Sequence, residues 1–263
     1  MITVLGASGF VGSNVVAYLE RSGLKFQAVG RGQQWPSGAL GHVIYCIGVT
    51  ADFRERPYDA VDAHVCTLID FVRGASFDSL LYLSSARVYL GRSGVAHEDD
   101  DVCVNPLRFE DLYSVSKVMG ESIVLSLGAK GRVARLSNAY GRRQSDTFLA
   151  RVLEEVRVRG AITFHSAPES VRDFAHVDDV AEVLVKIALR GRERLYNVAS
   201  GVSVTNAELA GAIARHRGCG VTFTPGAPAV VFPRIDNERI RSEFGFTTAP
   251  LLDVLPSMLG GQT

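Results

Sequence analysis

The sequence predicts an α/β fold, a doubly wound parallel sheet with helices on both faces. Three observations predict it. A short apolar run, Met1–Leu5, passes straight into the turn Gly6-Ala-Ser-Gly9-Phe-Val-Gly12 and then into a helical stretch. Strand-like and helix-like segments then alternate as far as Leu136. The chain has 263 residues, 47% of them hydrophobic, which is enough core for one large domain or two small ones.

Each element follows from a local pattern. Met1–Leu5 reaches glycine at once, as a strand buried on both faces does. Phe10, Val11, Val15, Val16 and Leu19 recur at helical spacing through Arg21, and Gly23 stops that helix. Phe26–Val29 and His42–Ile47 read as the next strands. Tyr58–Arg73 reads as a helix, Leu80–Ser84 as a strand, Tyr113–Leu127 as a helix and Val133–Leu136 as a strand. Beyond Asn138 the pattern loosens. Thr147–Arg159, Val177–Leu189 and Asn206–His216 read as helices, Ile162–Phe164 and Leu195–Val198 as short strands. Gly218–Pro233, rich in Gly, Pro and small residues, reads as a surface loop. The expected division is a sheet domain, 1–138 plus about 174–198, and a smaller lobe, about 139–173 and 199–263.

Only 11 residues, Arg31–Gly41, separate the second strand from the next. A crossover with its helix takes at least about 10–12 residues before any strand is added. The third strand usual in such sheets is therefore expected to be missing or vestigial.

Composition removes several function classes. Lys+Arg and Asp+Glu both number 28, so there is no basic excess to displace counterions from nucleic acid. No apolar run approaches the roughly 18 residues a membrane helix needs, and no basic leader precedes an apolar stretch. Cys46, Cys66, Cys103 and Cys219 lie far apart, without metal-ligand spacing, and read as reduced thiols. The expectation is a soluble cytoplasmic protein with no structural metal. Arginines outnumber lysines 24 to 4, so any lysine in a motif is informative.

Three motifs carry chemistry. In the glycine turn, the backbone bends tightly and approaches a pyrophosphate, whose charge faces the helix N-terminus. That reads as a dinucleotide site. In Tyr113-Ser-Val-Ser-Lys117, positions i and i+4 of a helix share a face, so phenol and ammonium occupy one space. A nearby cation favours phenolate and brings a tyrosine towards proton-transfer duty. Of eight tyrosines, only this one is followed four residues later by lysine. Ser84-Ser85-Ala86-Arg87-Val88-Tyr89 stands at a strand's C-terminal end, where ligands bind in open parallel sheets.

In this order and spacing, Gly6–Gly12, Ser85, Tyr113 and Lys117 resemble the extended short-chain dehydrogenase/reductase family, whose members include nucleotide-sugar epimerases, dehydratases and ketoreductases. Arg135-Leu-Ser-Asn138-Ala-Tyr140-Gly141, Arg172-Asp-Phe-Ala-His-Val-Asp-Asp179-Val and Leu195-Tyr-Asn-Val-Ala-Ser-Gly201 extend the likeness over nearly the whole chain. The resemblance implies a Rossmann-like sheet with a C-terminal substrate lobe. It implies Tyr113 as acid/base, Ser85 as the hydrogen-bond partner of the reacting oxygen, and Lys117 as holder of the nicotinamide ribose that lowers the Tyr113 pKa. Gly6, Ser8, Gly9, Phe10, Val11, Gly12, Arg31, Gly48, Ser84 and Lys117 are the expected cofactor contacts. Asn138 and Arg172 stand where relatives meet the substrate's sugar and diphosphate, although Arg172 reads equally well as a structural salt bridge. Relatives often dimerise through the helix bearing the Tyr–Lys pair, so the resemblance allows a homodimer and leaves the oligomeric state open.

One departure narrows the reaction. Dehydrating relatives resemble one another in an acidic pair after the catalytic Ser/Thr, where this chain has Ala86 and Arg87. Eliminating water needs a proton donor and an acceptor at neighbouring carbons, which disfavours a 4,6-dehydratase. Cofactor choice turns on Ala28-Val29-Gly30-Arg31. No Asp or Glu lies between Glu20 and Asp52 to bind a ribose hydroxyl, and Arg31 suits a 2′-phosphate, so NADP is favoured over NAD. The leading reading is a 4-ketoreductase of a nucleotide sugar. An epimerase with tightly bound NAD, a reductase of a non-sugar ketone or aldehyde, and a non-catalytic NADP-binding sensor or scaffold are the alternatives. Glu98–Asp101 reads as a solvated loop, His64 and His176 as satisfied structural histidines, and Trp35 as either an adenine platform or sheet-edge packing.

Overall fold

The structure is a computed structural model that describes residues 1–49, 51–141, 143–144 and 147–260. Its central sheet has six parallel strands: β1 (Ile2–Leu5), β2 (Phe26–Val29), β3 (His42–Tyr45), β4 (Ser79–Ser85), β5 (Gly131–Leu136) and β6 (Leu195–Val198). Across the sheet they run from β6 through β5, β4, β3 and β1 to β2. Four helices cover the two faces: α1 (Phe10–Arg21), α2 (Thr67–Gly74), α3 (Asp111–Leu125) and α4 (Val177–Arg190).

Side-chain parity sorts the core into two layers. Ile2, Val4, Ile44, Leu81, Leu83 and Ala134 face α1 and α4, where Val15, Leu19, Leu184 and Ile187 meet them. Leu5, Val43, Tyr45, Leu80, Tyr82 and Val133 face α2 and α3, where Leu68, Phe71 and Val124 fill the layer. Burial on both faces is why these strands read as continuous apolar runs rather than alternating ones. The alternation of strands and helices read from the sequence is the architecture observed.

Strand β2 is the edge of the sheet. Residues 30–41 carry the chain back past β1 to β3 with no helix and no ladder strand; Ala39 bridges Ser76 just before β4, and the carbonyl of the buried Leu40 accepts the Thr3 hydroxyl at 2.6 Å. Trp35, in this stretch, packs edge-on against Phe71 with ring centroids 5.5 Å apart. The expected helix Tyr58–Arg73 is interrupted. Pro57–Val61 is α-helical, Asp62–Cys66 widens into a π turn, and α2 follows. Two phenols rise from the sheet into this widened turn: Tyr45 donates to the Ala63 carbonyl at 2.7 Å and Tyr82 to that of His64 at 3.5 Å. Apolar periodicity does not reveal such an insertion, because the hydroxyls that accommodate it come from distant strands.

A second core lies beyond β5. Tyr140, Leu149, Val152, Phe164, Phe174, Leu209, Ile213, Leu251 and Leu255 gather there, with helices Phe148–Arg159, Asn206–Arg217 and Leu251–Gly260 around them. Helix Asn206–Arg217 opens with a reciprocal capping box, Thr205 with Glu208. Gly218–Pro233 is not all loop. Gly220–Phe223 is a strand paired in parallel with Ala161–Phe164, and Phe223 stacks on Phe164 at 5.2 Å. Its four residues find their partner about sixty positions away, which local composition cannot show. No described helix is long and apolar enough to cross a membrane.

Trp35 is the plug of the strandless edge. Trp35→Ala is expected to lower stability by roughly 1–3 kcal/mol, the usual range for losing a packed side chain. Chemical denaturation without added dinucleotide measures it.

Candidate active site

The site forms at the C-terminal edge of β1, β3 and β4. Gly6 leaves β1 with φ of 76°, and a Cβ there would lie 2.9 Å from the backbone of Cys46 and Ile47. Only glycine takes this conformation without strain. Gly12, inside α1, approaches so closely that a Cβ would stand 2.2 Å from the Gly6 carbonyl oxygen. Gly9 caps α1 without a side-chain hydrogen bond, and the first turn holds no acid. The opening N–H groups of α1, with Phe10 and Val11 as its first residues, thus keep their positive end for an external anion. The Ser8 hydroxyl accepts from the Arg31 N–H at 3.4 Å, which sets Arg31 beside the glycine turn. These features fit the pyrophosphate of a dinucleotide.

Across the cleft, β4 ends in Ser84 and Ser85. The Ser85 oxygen caps the short turn Ala86–Tyr89, accepting the Arg87 N–H at 3.2 Å, and its hydroxyl lies near enough to the Tyr113 phenol to favour the phenolate. Ser84 is buried and donates to Glu121 at 2.5 Å. Tyr113 stands in the first turn of α3, its ring 4.7 Å from Phe53 and 5.3 Å, edge-on, from His64. Lys117 lies one turn on, buried, with Nζ 2.9 Å from the Leu83 carbonyl and 6.0 Å from the Tyr113 ring centroid. Gly48 leaves room for it, since a Cβ there would sit 3.4 Å from Nζ and 3.2 Å from His64 Nε2.

Charge in this space is set by burial. Burial lowers the Lys117 pKa to about 7, against the pull of Glu121 and Cys46. It raises that of Tyr113 above the ordinary phenol value, opposed by the Ser85 hydrogen bond and the Arg87 guanidinium. The cation that bears on the phenol in this structure is Arg87, whereas the spacing alone pointed to Lys117. His64 is pushed down to about 2 by burial and by Lys117, so it is neutral. Ser116 donates to the Tyr113 carbonyl at 2.8 Å, so His64 Nδ1–H donates to Ser116 at 2.9 Å. That leaves Nε2 to accept the Val49 N–H at 3.4 Å.

The two residues expected to meet a substrate, Asn138 and Arg172, stand on strands Asn138–Tyr140 and Val171–His176 beside the second core. Asn138 donates to the Asp173 carbonyl at 2.9 Å. Arg172 donates to the neutral Asn206 at 2.9 Å and stacks over Phe148 at 3.9 Å. Among the described residues it has no carboxylate partner, so the salt-bridge reading is not what the structure shows. Three side chains escaped the sequence reading. Glu121 and Arg135 form a buried ion pair at 2.7 Å behind the serines. Glu98, expected in a solvated loop, is buried and accepts the Asn197 N–H at 2.9 Å. Glu121 follows Lys117 by four residues, a one-face helical signal that was legible. Arg135 and Glu98 meet through strand pairing that was not. No group of three or more His, Cys, Asp or Glu among the described residues could hold a metal ion.

A family described as "NAD dependent epimerase/dehydratase family" matches residues 41–199, more than half of the chain. The chain belongs to that family. It is 29% identical over 202 residues to a Streptomyces griseus protein named dTDP-glucose 4,6-dehydratase, covering 72% of this chain and 58% of that one. It is 25% identical over 170 residues to an Escherichia coli protein named dTDP-4-dehydro-6-deoxyglucose reductase, covering 60% and 50%. The aligned part thus spans under two thirds of these family members. The fold matches that of RMD from Pseudomonas aeruginosa, a structure complexed with NADPH, at a TM-score of 0.78. Identity there is 22%, over 98% of this chain and 97% of the other.

Removing one half of the buried pair leaves an uncompensated charge. Glu121→Ala is expected to cost about 3–5 kcal/mol by denaturant titration. Gly12→Ala is expected to abolish dinucleotide retention, read by nicotinamide fluorescence titration.

Proposed function

We propose that this chain is an NAD(P)-dependent oxidoreductase of nucleotide sugars, working as a 4-ketoreductase with Tyr113 as its acid. The observation that carries the reading is the convergence at the sheet edge of Ser85, at the end of β4, with Tyr113 and Lys117, one turn apart on α3, the Lys117 Nζ lying 2.9 Å from the Leu83 carbonyl. On this reading residues 1–138 with about 174–198 hold the dinucleotide, and about 139–173 with 199–263 form the substrate lobe. A homodimer through α3 and a cytoplasmic setting belong to the same proposal.

When bound, the nicotinamide supplies hydride at its C4. The chain does the rest. The Ser85 hydroxyl and the Tyr113 phenol both hydrogen-bond the ketone oxygen and polarise it. As the carbon is reduced, Tyr113 gives its phenolic proton to the forming alkoxide. Burial keeps that proton on Tyr113 at neutral pH, the state a reductase needs at the start of each turnover. Lys117 is placed to hold a ribose hydroxyl and to balance the resulting phenolate. Asn138 and Arg172 are assigned to the sugar and diphosphate. Ala86 and Arg87 offer no carboxylic acid, so elimination of water has no donor there. Arg31 beside Ser8, with no acid nearby in sequence, supports NADP over NAD.

Epimerisation would use the same residues in a reversible oxidation, and the state of the nucleotide separates the two. Denaturing the purified protein and weighing what it releases is expected to give no tightly held NAD, while the native protein takes up NADPH. Retained NAD would favour the epimerase, and no binding of either dinucleotide would sink the whole reading. Tyr113→Phe is expected to lower kcat by about 10²–10⁴-fold with KM nearly unchanged. The reduction rate is expected to fall as pH rises through about 7, where Lys117 gives up the charge that balances the phenolate, and to fall further on the alkaline side as Tyr113 loses its proton; a pH profile of kcat tests that sign.

A further inference from the structure

Three arginines converge beside the reacting edge. Arg54 and Arg87 lie over the Phe53 ring, at 4.8 Å and 5.0 Å from its centroid, and Phe53 in turn packs on Tyr113. Phe53 thus touches both the Arg87 guanidinium and the Tyr113 ring. Arg172 comes from the other core and is near enough for Arg87 and Arg54 to disfavour its charge. Only Arg54 is neutralised, by Glu110 at 3.1 Å. Among the described residues neither Arg87 nor Arg172 has an ion-pair partner, and the Arg87 Nε is buried with no hydrogen bond at all.

An unpartnered buried guanidinium N–H is costly, and two like charges facing each other add to that cost. Such an arrangement suits a ligand that brings two separate anions. On the reading above, the diphosphate supplies one, at the anomeric end of the sugar and towards Arg172. The Arg87 backbone N–H is held by the Ser85 hydroxyl and its guanidinium shares the Phe53 ring with Tyr113, so on that reading Arg87 is the arginine beside the reacting carbon. A diphosphate hung from C1 lies across the ring from a reacting C4, whereas a carboxylate on C5 is its neighbour. The planar fork of arginine matches a carboxylate in bidentate fashion.

We propose that Arg87 is a specificity residue for a carboxylate carried by the sugar, so that the substrate is a nucleotide-linked uronic acid. The proposal rests on the nucleotide-sugar reading and narrows it.

UDP-glucuronic acid and UDP-glucose differ only in carrying carboxylate or hydroxymethyl at that position. Calorimetric titration of both into protein saturated with NADPH tests the idea. The wild-type chain is expected to bind the uronate at least tenfold more tightly. Arg87→Gln is expected to erase that preference while changing UDP-glucose affinity less than twofold, and Arg172→Gln to weaken both ligands alike. Equal wild-type affinities overturn the proposal and leave the nucleotide-sugar reading standing. So does an Arg87→Gln variant that weakens both equally, because Arg87 would then be reading the diphosphate. If neither UDP-sugar nor dTDP-glucose binds to NADPH-loaded protein, the nucleotide-sugar reading falls too. The wild-type comparison needs no variant, so it decides even if Arg87→Gln misfolds.

Discussion

The geometry of the site depends on one buried ion pair, Glu121 on α3 with Arg135 on β5. Both oxygens of Glu121 are engaged, Oε2 by Arg135 Nη2 at 2.7 Å and Oε1 by Nε at 3.0 Å. The remaining Arg135 nitrogen donates to the Tyr89 hydroxyl at 2.6 Å and to the Glu98 carbonyl at 3.3 Å. Ser84, at the end of β4, donates to the same carboxylate. Two desolvated charges are worth little as a source of stability, since removing them from water offsets most of their attraction. Their effect here is on position. The pair fixes the rotation and slide of α3 against β4 and β5, so Tyr113, two turns earlier on that helix, comes to rest against Ser85. Tyr89 also donates to Asn197 at 2.9 Å, which carries the same network into β6.

The wide π turn solves a related problem. Extending α2 by a π insertion turns His64 towards α3, where it links the Tyr113–Ser116 turn to the backbone after β3. Being neutral, the ring adds no charge beside Lys117. The two tyrosines that satisfy the loosened carbonyls come from β3 and β4, so the sheet itself braces this wall of the cleft.

Sequence revealed what is local. Strand runs, helix periods, the glycine turn, the Tyr–Lys face and the short link from Arg31 to Gly41 each draw on neighbours within a few residues. What stayed hidden depends on pairs far apart. Glu98 looked solvated because three aspartates follow it, yet its partners arrive from residues 197 and 239. Strand Gly220–Phe223 needed Ala161–Phe164 to be recognisable. Arg172 offered two readings, and its pairing with neutral Asn206 rather than an acid was settled by the fold of the second core. Arg87 was legible only as a missing carboxylic acid. Its unsatisfied nitrogen is a fact of packing.

The strandless edge has a consequence for how such a chain changes over generations. Residues 32–38 pair with no strand, whereas Leu40 is buried, its N–H bonded to the Ser76 carbonyl and its own carbonyl to the Thr3 hydroxyl. Up to residue 38 this stretch can lengthen or shorten without breaking a ladder bond, as surface connections generally can. The elements that carry Ser85 and Tyr113, in contrast, are locked together by the buried Glu121–Arg135 pair. On the function proposed, the residue at the ribose end of the dinucleotide and the residues of proton transfer thus lie on different pieces of chain, one a surface connection and the other held by the core.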